Sequence, residues 1–441
     1  MRNSRRLVVW LFWVTLLSFA LPASAERKWV EPPTPAPVTF ERPTWPASHP
    51  ALCSDRRPLC VHTEKDASVL APALRALEAA HARVVDVLGW PAPQSDFGLG
   101  PHPAFDVYLV PSIEAWVVRP DPLTDTSLYP RTNAFAYVDL STVGSCRLPY
   151  AMSAALVRAG IFAIDAAAND ALANASAAYL ASVVEPCAVA FVADIDDFQV
   201  NPQLAVSNPV HHGGRGAMLF PWYLQSARGR GAPADLLHAL WVLSAQQTAK
   251  DSAILLNEPD FVDATEILAG DVRRSLTDLW LDFAVSRAFT GDRDDGIHVP
   301  ETRFLGSAGA VRFEWTIPYS SLPRRLAPLH PVEPSGASFV WLSLDAVPKG
   351  AGLGFRADWE PPDVFRFSLV LVDDQGQAIS RHDPVSQERG TSVQANIETL
   401  SGAAGVIIVA CNTGSVLRDI AFDPDSVPYT PRGYTVSLFA Q

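Results

Sequence analysis

Hydrophobic periodicity changes once along this chain, near residue 295, and that change constrains the fold before any motif is considered. Upstream, "DASVLAPALRALEAAHARVVDVLGW" sets Leu70, Leu74, Leu77, Val84, Val85, Val87 and Leu88 at helical spacing, stopped by Gly89 and Pro91. "AFDVYLV" (104–110) and "AFAYVDL" (134–140) alternate and predict strands, with a Pro- and Asp-rich loop over 119–133 between them. Further helices are expected at 216–228, 233–248, 260–269 and 272–289. Downstream, short β-rich runs such as "SFVWLSLDAV", "VFRFSLVLVDD", "GVIIVAC" and "YTVSLFA" are cut by Gly, Pro and Asp. Runs of that length predict an antiparallel sandwich or jelly roll, not βαβ units. The expected class is α+β: a mainly helical domain with a small sheet over 53–295, then an all-β domain over 300–441.

The segment "LVRAGIFAIDAAANDALANASAAYLASVVEP" (156–186) reads as two helices around a short turn, opening after Pro149. Its side chains are mostly methyl-sized, so the pair can pack closely. Arg158 and Asp165, seven residues apart, would share a face of the first helix. Arg158 either lies buried, where it needs Asp165 or Asp170 as a partner, or points to solvent. Cys146 and Cys187 flank the segment, and a disulfide between them would clamp its ends; Cys53 and Cys60 are spaced to close a small loop. Cys411, inside an apolar run, is expected buried and unpaired.

That cysteine usage fits an oxidising compartment, and the N-terminus agrees. Arg2, Arg5 and Arg6 precede an apolar run from Leu7 to Leu21, Pro22 and Ala23-Ser24-Ala25. This is the layout of a signal peptide over 1–25, shorter than the roughly 20 apolar residues a membrane span requires. Residues 26–52 form a proline-rich leader. The expected location is therefore secreted or periplasmic, with no membrane anchor after cleavage. The formal charge of −13 becomes −16 without the three leading arginines, 31 basic against 47 acidic side chains, which argues against a nucleic-acid partner. Lys28, Lys65, Lys250 and Lys349 are the only lysines, and that bias, with the Ala and Pro content, suggests a GC-rich bacterial genome. At 48% hydrophobic and 18% charged, the chain can bury sizeable cores.

The order helix, strand, strand, helix, helix, with "NASAAY" in the second helix and "GAMLFPWYLQSARGRGAP" downstream, resembles the gluzincin-type secreted metalloproteases. These are thermolysin-like, peptidase MA-like zinc enzymes, some of which in bacteria add a C-terminal β-sandwich. The family's first helix bears H-E-x-x-H and its second E-G-x-A-x-[YW], whose Glu is the third zinc ligand. The i, i+4 spacing sets two imidazoles on one face and the Glu activates the bound water. By resemblance, Arg158 stands at the first His, Ala159 at the catalytic Glu, Phe162 at the second His and Asn174 at the glutamate ligand, while Ala177 and Tyr179 keep the packing residues. Between Arg147 and Val184 there is no His, Glu or Cys, so these helices cannot assemble the family's zinc site. The bland alternative is an unrelated alanine-rich hairpin.

Other candidates are weaker. His211 and His212 in "NPVHHGGRG", with His238, could reach a metal, although a glycine-flanked pair more often marks a solvated loop. "DIDDF" (194–198), "GDRDDG" (291–296) and "DPD" (423–425) lack the full calcium-loop pattern and read as turns. No G-x-S-x-G elbow or phosphate loop is present, and only Cys60, beside Val61-His62, has a context favouring a thiolate. No catalytic residue, metal ligand or cofactor is assigned. Two functions follow. One is a non-catalytic secreted scaffold binding a protein or carbohydrate through the sandwich, with Trp315, Trp341 and Trp359 either stacking on sugar or packing in the core. The other is an active hydrolase of the peptidase type using a non-standard site.

Overall fold

The computed structural model describes residues 42–441 apart from 47, 122–130, 167, 211, 230, 233, 246–259, 272–274, 346, 362–363, 386–389 and 415–430. The signal peptide, most of the leader, His211 and "DPD" lie outside the described residues.

The first sheet is built from β1 (Ala51–Cys53), β2 (Leu59–Thr63), β3 (Phe105–Val110), β4 (Trp116–Pro120) and β5 (Ala134–Asp139), in the order β1-β2-β3-β5-β4. The three inner strands run parallel and both edges antiparallel. α1 (Leu70–His81), extended by a π-helical turn over Ala82–Val87, makes the β2-to-β3 crossover. The loop expected over 119–133 is corrected at its start, because Arg119 and Pro120 belong to edge strand β4. Proline is tolerated there as an edge residue.

α2 (Arg147–Phe162) and α3 (Asp170–Val184) form the hairpin, and every residue of α2 from Tyr150 onward is buried. Small side chains allow α2 to pack at once on α1, α3 and the β4–β5 edge. Gly160 admits the Trp90–Pro91 segment: a Cβ there would lie 2.4 Å from the Pro91 carbonyl oxygen. Trp90 Nε1 donates to the Val157 carbonyl at 2.9 Å in the same contact. Downstream come α4 (Val192–Val200), α5 (Leu219–Arg228), α6 (Asp235–Ser244), α7 (Phe261–Asp271) and α8 (Leu276–Arg287). α8 opens on a capping box made by Ser275 and Asp278. "DIDDF" is not a turn but part of α4, since Ile195 and Phe198 face the core three residues apart.

The remaining strands are β6 (Trp315–Pro318), β7 (Arg324–Leu326), β8 (Ala337–Ser343), β9 (Leu353–Trp359), β10 (Phe365–Val372), β11 (Ala378–His382), β12 (Ser392–Ile397), β13 (Gly405–Asn412) and β14 (Tyr434–Ala440). They form two sheets, β11-β10-β13-β8-β6 and β12-β9-β14-β7, antiparallel apart from the β6–β8 pair. Alternation decides which core each side chain joins. In β10, Phe367, Leu369 and Leu371 meet Phe355 and Leu438 of the other sheet. The opposite face, with Val370, Val372, Ile407 and Val409, joins the core of the helical region. The class is therefore α+β, and the helical and β regions share one continuous apolar core at α8, β10 and β13.

Candidate functional site

Where α2, α3 and edge strand β4 meet, Arg158 contacts residues of both helices. Arg158 is fully buried on α2. Its Nε donates to Asn174 Oδ1 on α3 at 3.2 Å, and its NH2 donates to Asp170 Oδ1 at the start of α3. Its guanidinium carbon sits 3.8 Å from the centre of the Phe162 ring, one helical turn on. Arg119, on β4, adds a second cation 3.8 Å from Asp170 Oδ2. Of the four positions equated by resemblance with the zinc motif, Arg158 thus touches two, Phe162 and Asn174. Ala159, equated by resemblance with a general base, is buried and supplies only a methyl group.

Burial pulls the Arg158 pKa below the ordinary arginine value, with the Asp170 carboxylate opposing and Arg119 adding to the fall. Its NH1 is buried with no acceptor among the described residues. Of the two partners expected for Arg158, Asp170 takes the hydrogen bond. Asp165 does not share a helical face with Arg158, because α2 ends at Phe162; its Oδ2 accepts from Ser244 Oγ of α6 at 3.4 Å.

These residues do not fit zinc. A divalent ion here would face a buried guanidinium, and the Asp170 carboxylate already binds that guanidinium. The Asn174 amide is also committed, accepting from Arg158 and donating through Nδ2 to the Gly213 carbonyl at 2.8 Å.

Gly213 and Gly214 explain the "HHGG" stretch differently from the solvated loop expected. Both take positive φ, and a Cβ on Gly214 would lie 2.3 Å from Ala171 Cα. The turn is pressed against the first turn of α3, where only glycine fits. Arg215, next in sequence, is buried; it donates to Asp194 of α4 at 3.0 Å and to Glu114 at 2.7 Å, and both carboxylates raise its pKa against burial. His238 packs its ring 5.8 Å from that of Trp90. "GDRDDG" is likewise no solvated turn at its centre: buried Asp294 accepts from the Thr302 and Arg303 backbone amides at 2.7 and 2.9 Å.

Both flanking cysteine pairs are disulfides, Cys53–Cys60 across β1 and β2 and Cys146–Cys187 across the ends of the hairpin. Cys411 is free and buried, its thiol pushed up to about 12 by burial. Sequence reasoning missed Arg119, hidden in a presumed loop, and a buried cluster on the outer face of the first sheet. There Arg42 donates to Asp96, Asp106 and Asp121, and His62 Nε2 lies 2.8 Å from Asp106 Oδ1. Cys60, His62 and Asp106 are close enough to hold a metal, but the Cys60 sulfur is consumed by its disulfide. Alternation along β2 and β3 was the available signal, since Cys60, His62, Asp106 and Tyr108 are all even-numbered on paired strands.

Of the three tryptophans weighed as sugar platforms, none is exposed. Trp359 packs on Phe367 with ring centres 5.8 Å apart, Trp341 lies against Phe313, and Trp315 Nε1 donates to the Ala327 carbonyl at 3.0 Å.

No family model matches this chain, and no curated protein matches it. Among solved structures it is similar to the pre-peptidase C-terminal domain of a collagenase from Bacillus anthracis. The identity is 9%, over 29% of this chain and 95% of that one, with a TM-score of 0.19, too slight a likeness to bear on fold or activity.

Proposed function

We propose that this chain is a secreted or periplasmic, non-catalytic protein built on a gluzincin-like scaffold whose metal position has been taken over by an arginine. The observation that carries the reading is the burial of Arg158 between Asp170, Asn174 and the Phe162 ring. Three positions equated by resemblance with zinc ligands meet in one crevice beside an antiparallel edge strand. Two disulfides support an oxidising compartment, and no described helix is long and apolar enough to cross a membrane. On this reading the β-strands after residue 300 form the added sandwich and supply ligand binding, to a protein or a carbohydrate, through surfaces other than Trp315, Trp341 and Trp359.

The test is metal content by mass spectrometry combined with cleavage of an unfolded protein substrate, with and without a chelator. The expected outcome is no stoichiometric zinc and no chelator-sensitive proteolysis. One zinc per chain with chelator-sensitive cleavage would overturn the proposal in favour of the hydrolase reading.

A further inference from the structure

A second concave site lies away from the Arg158 crevice, at the far end of α3. It is a cavity of about 590 Å³, within the roughly 300–1,000 Å³ range of small-molecule pockets. Its walls are aromatic: Tyr179 from α3, Trp222 from α5, Phe304, and Phe191 from the segment after Cys187. The rings form an open chain. Tyr179 and Trp222 have centres 6.1 Å apart, Trp222 and Phe304 6.4 Å, and Phe304 and Phe191 6.1 Å at right angles. Phe304 is 53% exposed although it belongs to this aromatic set, so the cavity opens to solvent along an apolar lip. The Cys146–Cys187 disulfide fixes the origin of the segment that carries Phe191.

One charged group meets these rings without being neutralised by the protein. Glu301 lines the cavity, and its carboxylate has no ion pair or hydrogen bond among the described residues. It is held at a φ of 66°, the left-handed region that a glutamate rarely adopts, and such outliers concentrate at ligand sites. Gln225 also lines the cavity, through atoms other than its Oε1, which is closed off from solvent. Tyr179 remains a neutral phenol, pushed up to about 12 by burial and then by the Glu301 charge. Ring faces carry negative quadrupole potential, so the rings and the Glu301 carboxylate present negative charge to one space. The acidic balance of the whole chain has the same sign.

We propose that this cavity binds a small organic cation, an ammonium ion with at least one N–H and an aryl or alkyl substituent. The substituent fills the space among Tyr179, Trp222, Phe304 and Phe191. The ammonium group pairs with Glu301. A neutral molecule of the same shape would satisfy the rings but leave the carboxylate without a counter-ion.

Calorimetric titration of the full mature chain with 2-phenylethylammonium, and with 2-phenylethanol as its neutral isostere, tests this. The cation is expected to bind at one site about tenfold or more tightly than the alcohol. Glu301→Gln, an exposed position whose replacement leaves the fold in place, is expected to abolish that preference while its thermal midpoint matches wild type. Trp222→Ala is expected to weaken both ligands. Equal affinity for cation and alcohol, an undiminished preference in Glu301→Gln, or no saturable binding would overturn the proposal. None of these outcomes depends on the metal content or on Arg158, so the two proposals stand or fall separately.

Discussion

Arg158 shows how a single side chain can decide whether a crevice is a reaction site or part of a core. A buried guanidinium must be paired, and Asp170 and Asn174 supply that pairing from the neighbouring helix. Removing one member of such a pair costs more than replacing its charge with an apolar side chain of similar length. Asp170→Asn, which leaves Arg158 buried beside a neutral amide, is therefore expected to lose about 1–3 kcal/mol of stability. The lower end is favoured because Asp170 is a third exposed. Arg158→Met keeps packing against Phe162 without a charge, and is expected to change stability by less than about 1.5 kcal/mol. Urea unfolding of the two variants checks the order; a larger loss in Arg158→Met would show that the arginine does more than fill and pair.

At the scale of elements, two close approaches hold the crevice in shape. α2 carries Gly160 against the Trp90–Pro91 segment, and the turn at Gly213-Gly214 presses on the first turn of α3. Gly214→Ala combines a positive φ with a Cβ 2.3 Å from Ala171 Cα, in contact with backbone that cannot swing away. The expected loss is about 2 kcal/mol or more. Gly144→Ala, at a φ of 85° with open space around its Cβ, carries the conformational term alone and is expected to lose about 1 kcal/mol. Equal losses in a thermal or urea titration would remove the close contact from the account. The adjacent glycines were visible in "NPVHHGGRG", but their partner was not, because Ala171 lies about forty residues away and carries no chemical signal.

Across the whole molecule, the helical region and the β-strands are joined by a shared apolar core at α8, β10 and β13. Val370, Val372, Ile407 and Val409 turn away from the second sheet and join the helical core at α8. Arg287, fully buried at the end of α8, donates from Nε to Gln199 Oε1 at 2.9 Å and from NH2 to the Phe198 carbonyl at 2.8 Å. Glu333 reaches across to accept from the Ala205 amide at 2.7 Å and from Asn208 at 2.9 Å. Such a joint predicts one cooperative transition by calorimetry, with near-ultraviolet circular dichroism and intrinsic fluorescence superimposing. Two resolved transitions would mean that the shared core contributes little coupling.

The sequence by itself determined the α+β class, the helical hairpin, the buried position of Cys411 and the absence of His, Glu and Cys from α2 and α3, and it offered both disulfide pairs as candidates. Each is a matter of composition or short-range spacing, which a helix or strand period converts directly into a face. Only the tertiary structure decided that Arg158 pairs with Asp170 and not Asp165, that Arg119 stands on an edge strand, that Trp359 packs inside and that Trp315 and Trp341 are half-buried against the cores. It also decided that Glu301 and Gln225, seventy-six residues apart, line one aromatic cavity. Those outcomes turn on which distant surfaces meet and on where burial leaves a charge with one partner, several or none. Neither is encoded in the period of a local pattern.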